Sequence, residues 1–378
     1  MTGFVYQMPT KIISGRDCLT GRGELLRPLG KKALIVTGRS SSENGALADA
    51  VTALRNNGRE FSVFDGVRPN PTLDCVQAGA EQARKTGAEF VVGIGGGSAL
   101  DAAKAVAVLA RQPRPDEEIF SGGWSEDVLP VAAVPTTAGT GSEVTQYAVL
   151  TNDFAKTKTS ISSPAFFPKL AFLDGKYMLG LGRAVTVNTA ADALSHAVEG
   201  MFTLRSTPLS DLAALESVRI LFSLFPKLEE ENFRLSCEDR DELLYASMLA
   251  GTVIAQSGTT AVHAMGYPLT YHHGTPHGEA NGILLGEMLA LCAERLPERT
   301  EKILAAAGLK TTGEFKAALK RVLRSDAAYT REELERYARE AAKNPKLAGV
   351  TYRPDEEDLL RIYLESGLVK KEGTGAGV

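Results

Sequence analysis

The 378-residue chain has only four cysteines, and Cys18, Cys75, Cys237 and Cys292 stand far apart with no Cys-x-x-Cys pair. They read as isolated, mostly buried thiols of a reducing compartment rather than as a disulfide framework. No run of about 18 apolar residues occurs, so no membrane span is expected. The opening MTGFVYQMPTKII lacks the charged-then-apolar pattern of a secretory signal, and the expected setting is the cytoplasm. Lys and Arg total 42 against 46 Asp and Glu, a formal net charge of −4, and no basic stripe stands out. A nucleic-acid partner is therefore not expected. Internal repeats and low-complexity segments are absent. Lys370 to Val378 show no periodicity and read as a frayed tail.

What is present suits a two-domain chain. Hydrophobic residues make up 44%, enough for two ordinary cores. In the first half, short apolar runs end at turn residues: Ala33–Thr37, Phe61–Phe64, Glu89–Ile94 and Leu129–Val134. Helical patterns lie between them at Leu47–Asn57, Leu73–Thr86 and Ser98–Ala110. This alternation predicts a parallel sheet covered on both faces. From about Ala190 onward the periodicity is helical almost throughout. The segments are Ala190–Leu204, Ser210–Phe225, Asp241–Ser257, Glu279–Arg295, Thr300–Ala307, Glu332–Ala342 and Asp355–Glu365. The expectation is an α/β dinucleotide-binding domain over residues 1–182, an all-helical domain over 183–378, and a cleft between them.

Two loops of the first half carry polar chemistry. In EFVVGIGGGSALDAAK an apolar strand runs into Gly95, Gly96, Gly97 and Ser98, and a helix follows. Glycines let the backbone approach a ligand, and a helix start offers free N–H groups to a phosphate. Ser98 is expected as N-cap, with Asp101 in a capping-box role. The spacing is neither GxGxxG nor Walker A, and a plain connecting turn is the alternative. After the fourth strand comes PTTAGTGSEVT, residues 135–145, where parallel-sheet proteins bind ligands. An ordinary Thr/Ser-rich loop is the alternative there.

Histidine is nearly as scarce as cysteine, with five residues, yet three of them fall within residues 272–277. Asp192 and His196 are spaced i, i+4, which puts them on one helix face a turn apart. His263 and His277 follow, fourteen residues apart. One carboxylate and three imidazoles suit a borderline divalent metal better than Ca²⁺ or Mg²⁺. Any one of these residues taken alone is as well read as a surface acid or a core histidine.

Together GGGSALDAAK, PTTAGTGSEVT, DALSHAVEG and the His263–His277 segment resemble the metal-dependent group III, or iron-containing, alcohol dehydrogenases over roughly residues 3–370. The resemblance implies an α/β N-terminal dinucleotide domain and an all-α C-terminal domain in a dehydroquinate synthase-like fold. It implies Asp192, His196, His263 and His277 as metal ligands, for Fe²⁺ foremost and Zn²⁺ otherwise. For the cofactor it implies Gly95, Gly96, Gly97 and Ser98 at the pyrophosphate with Asp101 close by. Thr136, Thr137, Thr140 and Ser142 would line the rest of that site, joined by Lys158 at the ribose, Asn70 at the cofactor edge, and Leu179. Many members carry a histidine four residues after the third ligand. Here that residue is Tyr267, so His273, Tyr267 itself or bound water is left to move protons. A second departure, Asp174-Gly175 in place of Asp-Pro, concerns only a turn.

Where the family commonly has an aspartate after the strand read at Ala33–Thr37, this chain has Gly38, followed by Arg39, Ser40, Ser41 and Ser42. A 2′-phosphate is well served by that set, so NADP(H) is expected over NAD(H), and Gly38→Asp is expected to favour NADH. The implied reaction is reversible hydride transfer between a small primary alcohol or diol and its aldehyde, in a homodimer or larger assembly. The alternatives are a metal-using cyclase of the dehydroquinate synthase type and a non-catalytic nucleotide sensor. The first needs basic residues to grip a phosphorylated substrate, and none cluster beside the histidines. The second needs no open metal position.

Overall fold

The computed structural model describes residues 3–370. The frayed-tail expectation beyond Lys370 lies outside the described residues. Eight strands occur among them: β1 (Lys11–Ser14), β2 (Lys32–Thr37), β3 (Glu60–Phe64), β4 (Phe90–Gly95), β5 (Val131–Pro135), β6 (Tyr147–Asn152), β7 (Thr157–Ser162) and β8 (Leu170–Leu173). Six form one parallel sheet in the order β1-β8-β5-β4-β2-β3. The helices of this half are α1 (Cys18–Gly21), α2 (Ser40–Glu43), α3 (Ala46–Asn56), α4 (Leu73–Thr86) and α5 (Gly97–Arg111).

The strands are continuous apolar runs because both faces of the sheet are covered. Leu34, Val36, Val91 and Val131 pack with Val76 and Ala80 of α4 and Ala102 and Val106 of α5. Ala33, Ile35, Val92, Ile94 and Val134 face the other way, onto Ala46, Ala50 and Leu54 of α3. A strand alternates its side chains between faces, so a doubly covered strand has no polar position to spare. From β2 the chain first steps outward to β3 and then returns to β4 on the other side. That reversal opens a crevice at the carboxyl ends of β2 and β4, where Thr37 and Gly95 lie.

Two elements of this half carry weak signals. The edge strand β1 and its partner β8 are four residues each. The antiparallel hairpin β6–β7 was not expected, and it packs against α5. Of the thiols expected to be buried, Cys18 and Cys292 are, whereas Cys75 and Cys237 are half-buried.

The rest is helical: α6 (Arg183–Met201), α7 (Pro208–Glu229), α8 (Cys237–Ser257), α9 (Ala261–His273), α10 (His277–Arg295), α11 (Pro297–Ala306), α12 (Thr312–Leu323), α13 (Arg331–Ala342) and α14 (Glu356–Glu365). α6 is the central helix. It packs on α7, α8 and α10, and every residue from Ala190 to Met201 is buried. α9 went unread in the sequence because Gly266 and Pro268 interrupt its pattern. Both belong there structurally. A Cβ on Gly266 would meet Asn281 Oδ1 at 2.3 Å, so glycine admits the close approach of α10.

The two halves meet along the 135–145 loop. Gly141 lies against Gly251 of α8, where a Cβ would stand 2.3 Å from the opposite Cα. A Cβ on Gly139 would strike Thr189 of α6 at 2.7 Å. The glycines of this loop are thus set by interlocking with the helices.

Candidate metal and dinucleotide site

The site begins with α6. In the continuously buried stretch of this helix, Asp192 and His196 are inward polar groups that need partners. α10 supplies one set by packing directly on α6. The contact is tight at Gly278, where a Cβ would lie 1.7 Å from the Asn188 carbonyl oxygen. It brings His277, the first residue of α10, over Asp192. α9 delivers His263 from a third direction. The Nε2 atoms of His196, His263 and His277 lie 3.8, 3.7 and 3.8 Å from one atom, Asp192 Oδ1. Asp192, His196 and His263 form the tight group, with ligand atoms all within 4.8 Å of one another. Ligand atoms about 2.1 Å from a tetrahedral metal stand about 3.4 Å apart, so the quartet is close to closed around a small ion.

The surrounding groups fix the ring orientations. Glu199, one turn after His196, accepts hydrogen bonds from Thr260 N, Thr260 Oγ1 and Val262 N, at 3.2, 2.6 and 2.8 Å. Its other oxygen accepts from His263 Nδ1. His196 Nδ1 faces the Gly139 carbonyl at 3.2 Å, which ties the quartet to the 135–145 loop. Asn281 Nδ2 donates to Asp192 Oδ1 at 3.0 Å and lies 3.2 Å from both His263 Nε2 and His277 Nε2. Burial pushes the His263 and His277 imidazoles well below the usual range, which keeps them neutral with lone pairs available. For Asp192 burial pushes upward, but the three histidines and Asn281 outweigh it and hold the carboxyl below its ordinary value. Neutral imidazoles around a buried carboxylate fit a divalent cation.

The quartet opens into a cleft of about 1700 Å³ that runs to the carboxyl edge of the sheet. Gly38, Arg39, Ser40, Asn70, Gly95, Gly96, Gly97, Ser98, Asp101, Thr137, Thr140, Ser142 and Lys158 line its sheet side. The glycine loop and the threonine loop interlock. A Cβ on Gly97 would meet Thr140 Cγ2 at 2.4 Å, and one on Gly96 would meet Thr137 Oγ1 at 2.9 Å. Gly95 has φ 143°, which only glycine adopts easily. Asn70 sits at φ 57° with its N–H donating to Ser98 Oγ at 3.2 Å, a left-handed position that asparagine tolerates.

Several expectations need correcting. Ser98 is not the N-cap of α5; Gly96 is, with no side-chain cap. Asp101 makes no capping box. Its oxygens accept from Ser142 Oγ at 2.5 Å and Val149 N at 3.0 Å, and Lys104 Nζ lies 3.2 Å away. It stitches the threonine loop to the hairpin. Ser41 is buried and donates to the Ile94 carbonyl at 3.3 Å. Thr136 is buried too, its N–H bonded to Gly95 O, and neither lines the cleft. Leu179 follows the mostly buried turn Gly175–Met178 but is itself half-exposed and outside the cleft. His273 also lies outside it, 2.9 Å from Tyr337 Oη. Ten residues after His263, it is carried about 15 Å along α9. Tyr267, one turn after His263, does line the cleft and stacks on His277 with ring centroids 5.4 Å apart. A Cβ on Gly38 would come within 2.9 Å of the Val67 carbonyl oxygen, so Gly38→Asp would probe packing as much as cofactor choice.

Four residues of the site escaped the sequence reading: Glu199, Asn281, Lys104 and Lys346. Glu199 follows His196 by three positions and Asn281 follows His277 by four, so helical spacing carried that signal. Lys104 is fully buried. Burial pushes its ammonium below the usual range while Asp101 opposes the shift. It donates to the Ser142 and Thr145 carbonyls at 3.0 and 3.3 Å. Lys346 is far from the histidines in sequence and comes beside them only in the fold.

A parallel sheet with a phosphate-type glycine turn, joined through one cleft to a helical carboxylate–imidazole centre, suits a metal-using, dinucleotide-binding enzyme. Comparison with known proteins agrees. The model of the iron-containing alcohol dehydrogenase family matches residues 9–175, and that of the Fe-containing alcohol dehydrogenase C-terminal region matches 186–366. The 1,3-propanediol dehydrogenase of Citrobacter freundii is 34% identical over 317 residues, 82% of this chain and 81% of that protein. The lactaldehyde reductase of Escherichia coli K12 is 30% identical over 316 residues, 81% and 82% respectively. An iron-containing alcohol dehydrogenase of Thermotoga maritima superposes with TM-score 0.87 at 38% identity, covering 96% of this chain and 99% of that one. The chain belongs to the iron-containing alcohol dehydrogenase family and is an NAD(P)-dependent, metal-dependent alcohol dehydrogenase. The cyclase alternative is not favoured.

Proposed function

We propose that the chain catalyses reversible, NADP(H)-dependent interconversion of a small primary alcohol or diol and its aldehyde. Asp192, His196, His263 and His277 would hold one divalent ion, Fe²⁺ foremost and Zn²⁺ otherwise. The observation that carries this reading is the convergence of three imidazole Nε2 atoms on Asp192 Oδ1 at one end of the cleft. When bound, the ion supplies Lewis acidity to the substrate oxygen, and the nicotinamide supplies or accepts the hydride.

The remaining work falls to the chain's own residues. Gly96, Gly97 and Ser98 offer uncapped N–H groups of α5 to a pyrophosphate. Thr137, Thr140, Ser142 and Lys158 add hydroxyls and a cation along the same wall, and Asn70 flanks it. Arg39 and Ser40 stand where a ribose 2′-phosphate is expected. Glu199 keeps the Nδ1 proton on His263 and so directs Nε2 inward. His273 lies outside the cleft, and Tyr267 lines it beside His277 with its hydroxyl accepting from Lys346, so the proton falls to bound water. We place the domain boundary near residues 182–183, in a cytoplasmic homodimer or larger homo-oligomer.

Anaerobic removal of the metal, followed by Fe²⁺ or Zn²⁺ added separately, tests the reading on an aldehyde panel with NADPH. Activity should vanish and return with one of the ions. His263→Ala should abolish turnover while NADPH binding, followed by fluorescence, stays within a few-fold; full turnover in that variant refutes the metal mechanism.

A further inference from the structure

Among the cations that line the cleft, Lys346 lies nearest the histidine centre in the fold and is used by neither that centre nor the dinucleotide wall. Lys346 sits on a 3-10 turn, Pro345–Gly349, after α13 and lines the cleft with Thr259, Tyr267, His263 and His277. Its ammonium donates to Thr259 Oγ1 at 2.5 Å and to Tyr267 Oη at 3.1 Å. It also lies 5.0 Å from the Tyr267 ring centroid, and that ring stacks on His277. The Lys346 turn, the Thr259 loop and α9 thus converge on one point beside the histidines.

This constellation is all donors. Lys346 occupies an oxygen lone pair of each hydroxyl, so the Thr259 and Tyr267 protons are left to donate. Neither hydroxyl donates to an acceptor among the described residues, and no carboxylate there lies within 4 Å of Lys346. Glu199, the nearby buried acid, spends its oxygens on Thr260, Val262 and His263. Glu199 acts on Lys346 only at longer range, so the ammonium has no carboxylate partner in contact among the described residues. Arg205 adds a second cation at the same turn: it lines the cleft, and the N–H of the preceding Leu204 bonds Gly349 O at 2.9 Å. An ammonium and two hydroxyls presented together match a carboxylate, which only accepts.

We propose that Lys346, Thr259 and Tyr267 form an anion subsite that selects aldehydes carrying a carboxylate a short carbon chain away from the carbonyl. The inference rests on the dehydrogenase reading for its kinetic arm only. In that reaction a hydride passes from the reduced nicotinamide to the carbonyl carbon, the C=O π bond breaks, and its oxygen takes one proton. The product is an ω-hydroxy carboxylate together with oxidised cofactor. Lys346 acts on the far end of the substrate and takes no part in the hydride step.

Two measurements test it. Calorimetric titration of the metal- and cofactor-loaded enzyme with butyrate, an unreactive carboxylate, should show binding that Lys346→Met weakens about 10- to 100-fold and Lys346→Arg retains, the loss expected for a charge-assisted contact. Butyramide should not bind detectably. Equal butyrate affinity in wild type and Lys346→Met overturns the proposal whether or not any aldehyde is reduced. In the kinetic arm, kcat/KM for 4-oxobutanoate over that for pentanal should exceed unity in wild type and fall at least about tenfold in Lys346→Met. An unchanged ratio also overturns it. Lys346-dependent butyrate binding with neither aldehyde reduced would count against the dehydrogenase reading and leave the anion subsite standing.

Discussion

The buried carboxylate of Glu199 accepts a hydrogen bond from His263 Nδ1, so the acid that orients this imidazole sits on the same helix as Asp192 and His196. One helix therefore supplies two of the inward-facing groups and the brace for a third. Substituting glutamine would put an amide N–H where His263 Nδ1 now donates. Glu199→Gln should weaken metal affinity about 10- to 100-fold, read by competition with a chelating dye. An unchanged dissociation constant would mean that the brace is structural only.

Gly278 permits α10 to lie on α6. With a Cβ placed 1.7 Å from the Asn188 carbonyl oxygen, Gly278→Ala must force the helices apart. The expected cost is about 1–3 kcal/mol or more, seen as a lower Tm, together with weaker metal binding because His277 moves with α10. A variant with wild-type Tm and metal affinity would contradict the packing described here.

Glu143 gives a pH signature in stability. It is fully buried in the loop between the two halves, and burial pushes its carboxyl up to about 7, opposed in part by Lys104. A raised carboxyl favours the protonated form in the fold. Its contribution is therefore complete below about pH 4.5 and is lost as pH rises through 7. Glu143→Gln stays neutral throughout. Between pH 5 and 8 the wild type should lose stability relative to the variant by on the order of 3 kcal/mol. Parallel Tm-versus-pH curves would rule out the buried neutral acid.

Cofactor choice is best tested at Arg39, since Gly38 is crowded by the Val67 carbonyl. NADPH should exceed NADH in kcat/KM, and Arg39→Ala should reduce that ratio about tenfold by removing a charge-assisted contact to the 2′-phosphate. Equal efficiencies in the wild type would refute the NADP(H) preference.

Much of this was legible in the sequence because it rests on local rules. Continuous apolar runs separated by helices gave β2 to β5 and the doubly covered sheet. The i, i+4 pair on α6, the glycine turn after β4 and the polar loop after β5 marked both ends of the cleft. Local rules misjudged Asp101. It was expected three residues after a Ser98 cap, yet the helix begins two residues earlier at a Gly96 cap, and Ser142 and Val149, more than 40 residues away, claim its oxygens. They also hid α9, whose Gly266 and Pro268 read as breakers until the approach of Asn281 explains the glycine.

By itself the sequence determined which side chains could hold a metal and a dinucleotide, because helical spacing and turn chemistry act within a few residues. The tertiary structure decided which of them share a cleft. It placed Ser41, Thr136, Leu179 and His273 outside, brought in Lys346, and set Glu199 and Asn281 against the histidines and Asp192 from behind. The reason is that burial and hydrogen-bond satisfaction are settled between elements far apart in the chain. Lys346 lies 79 residues from the tyrosine it contacts, and no spacing rule spans that gap.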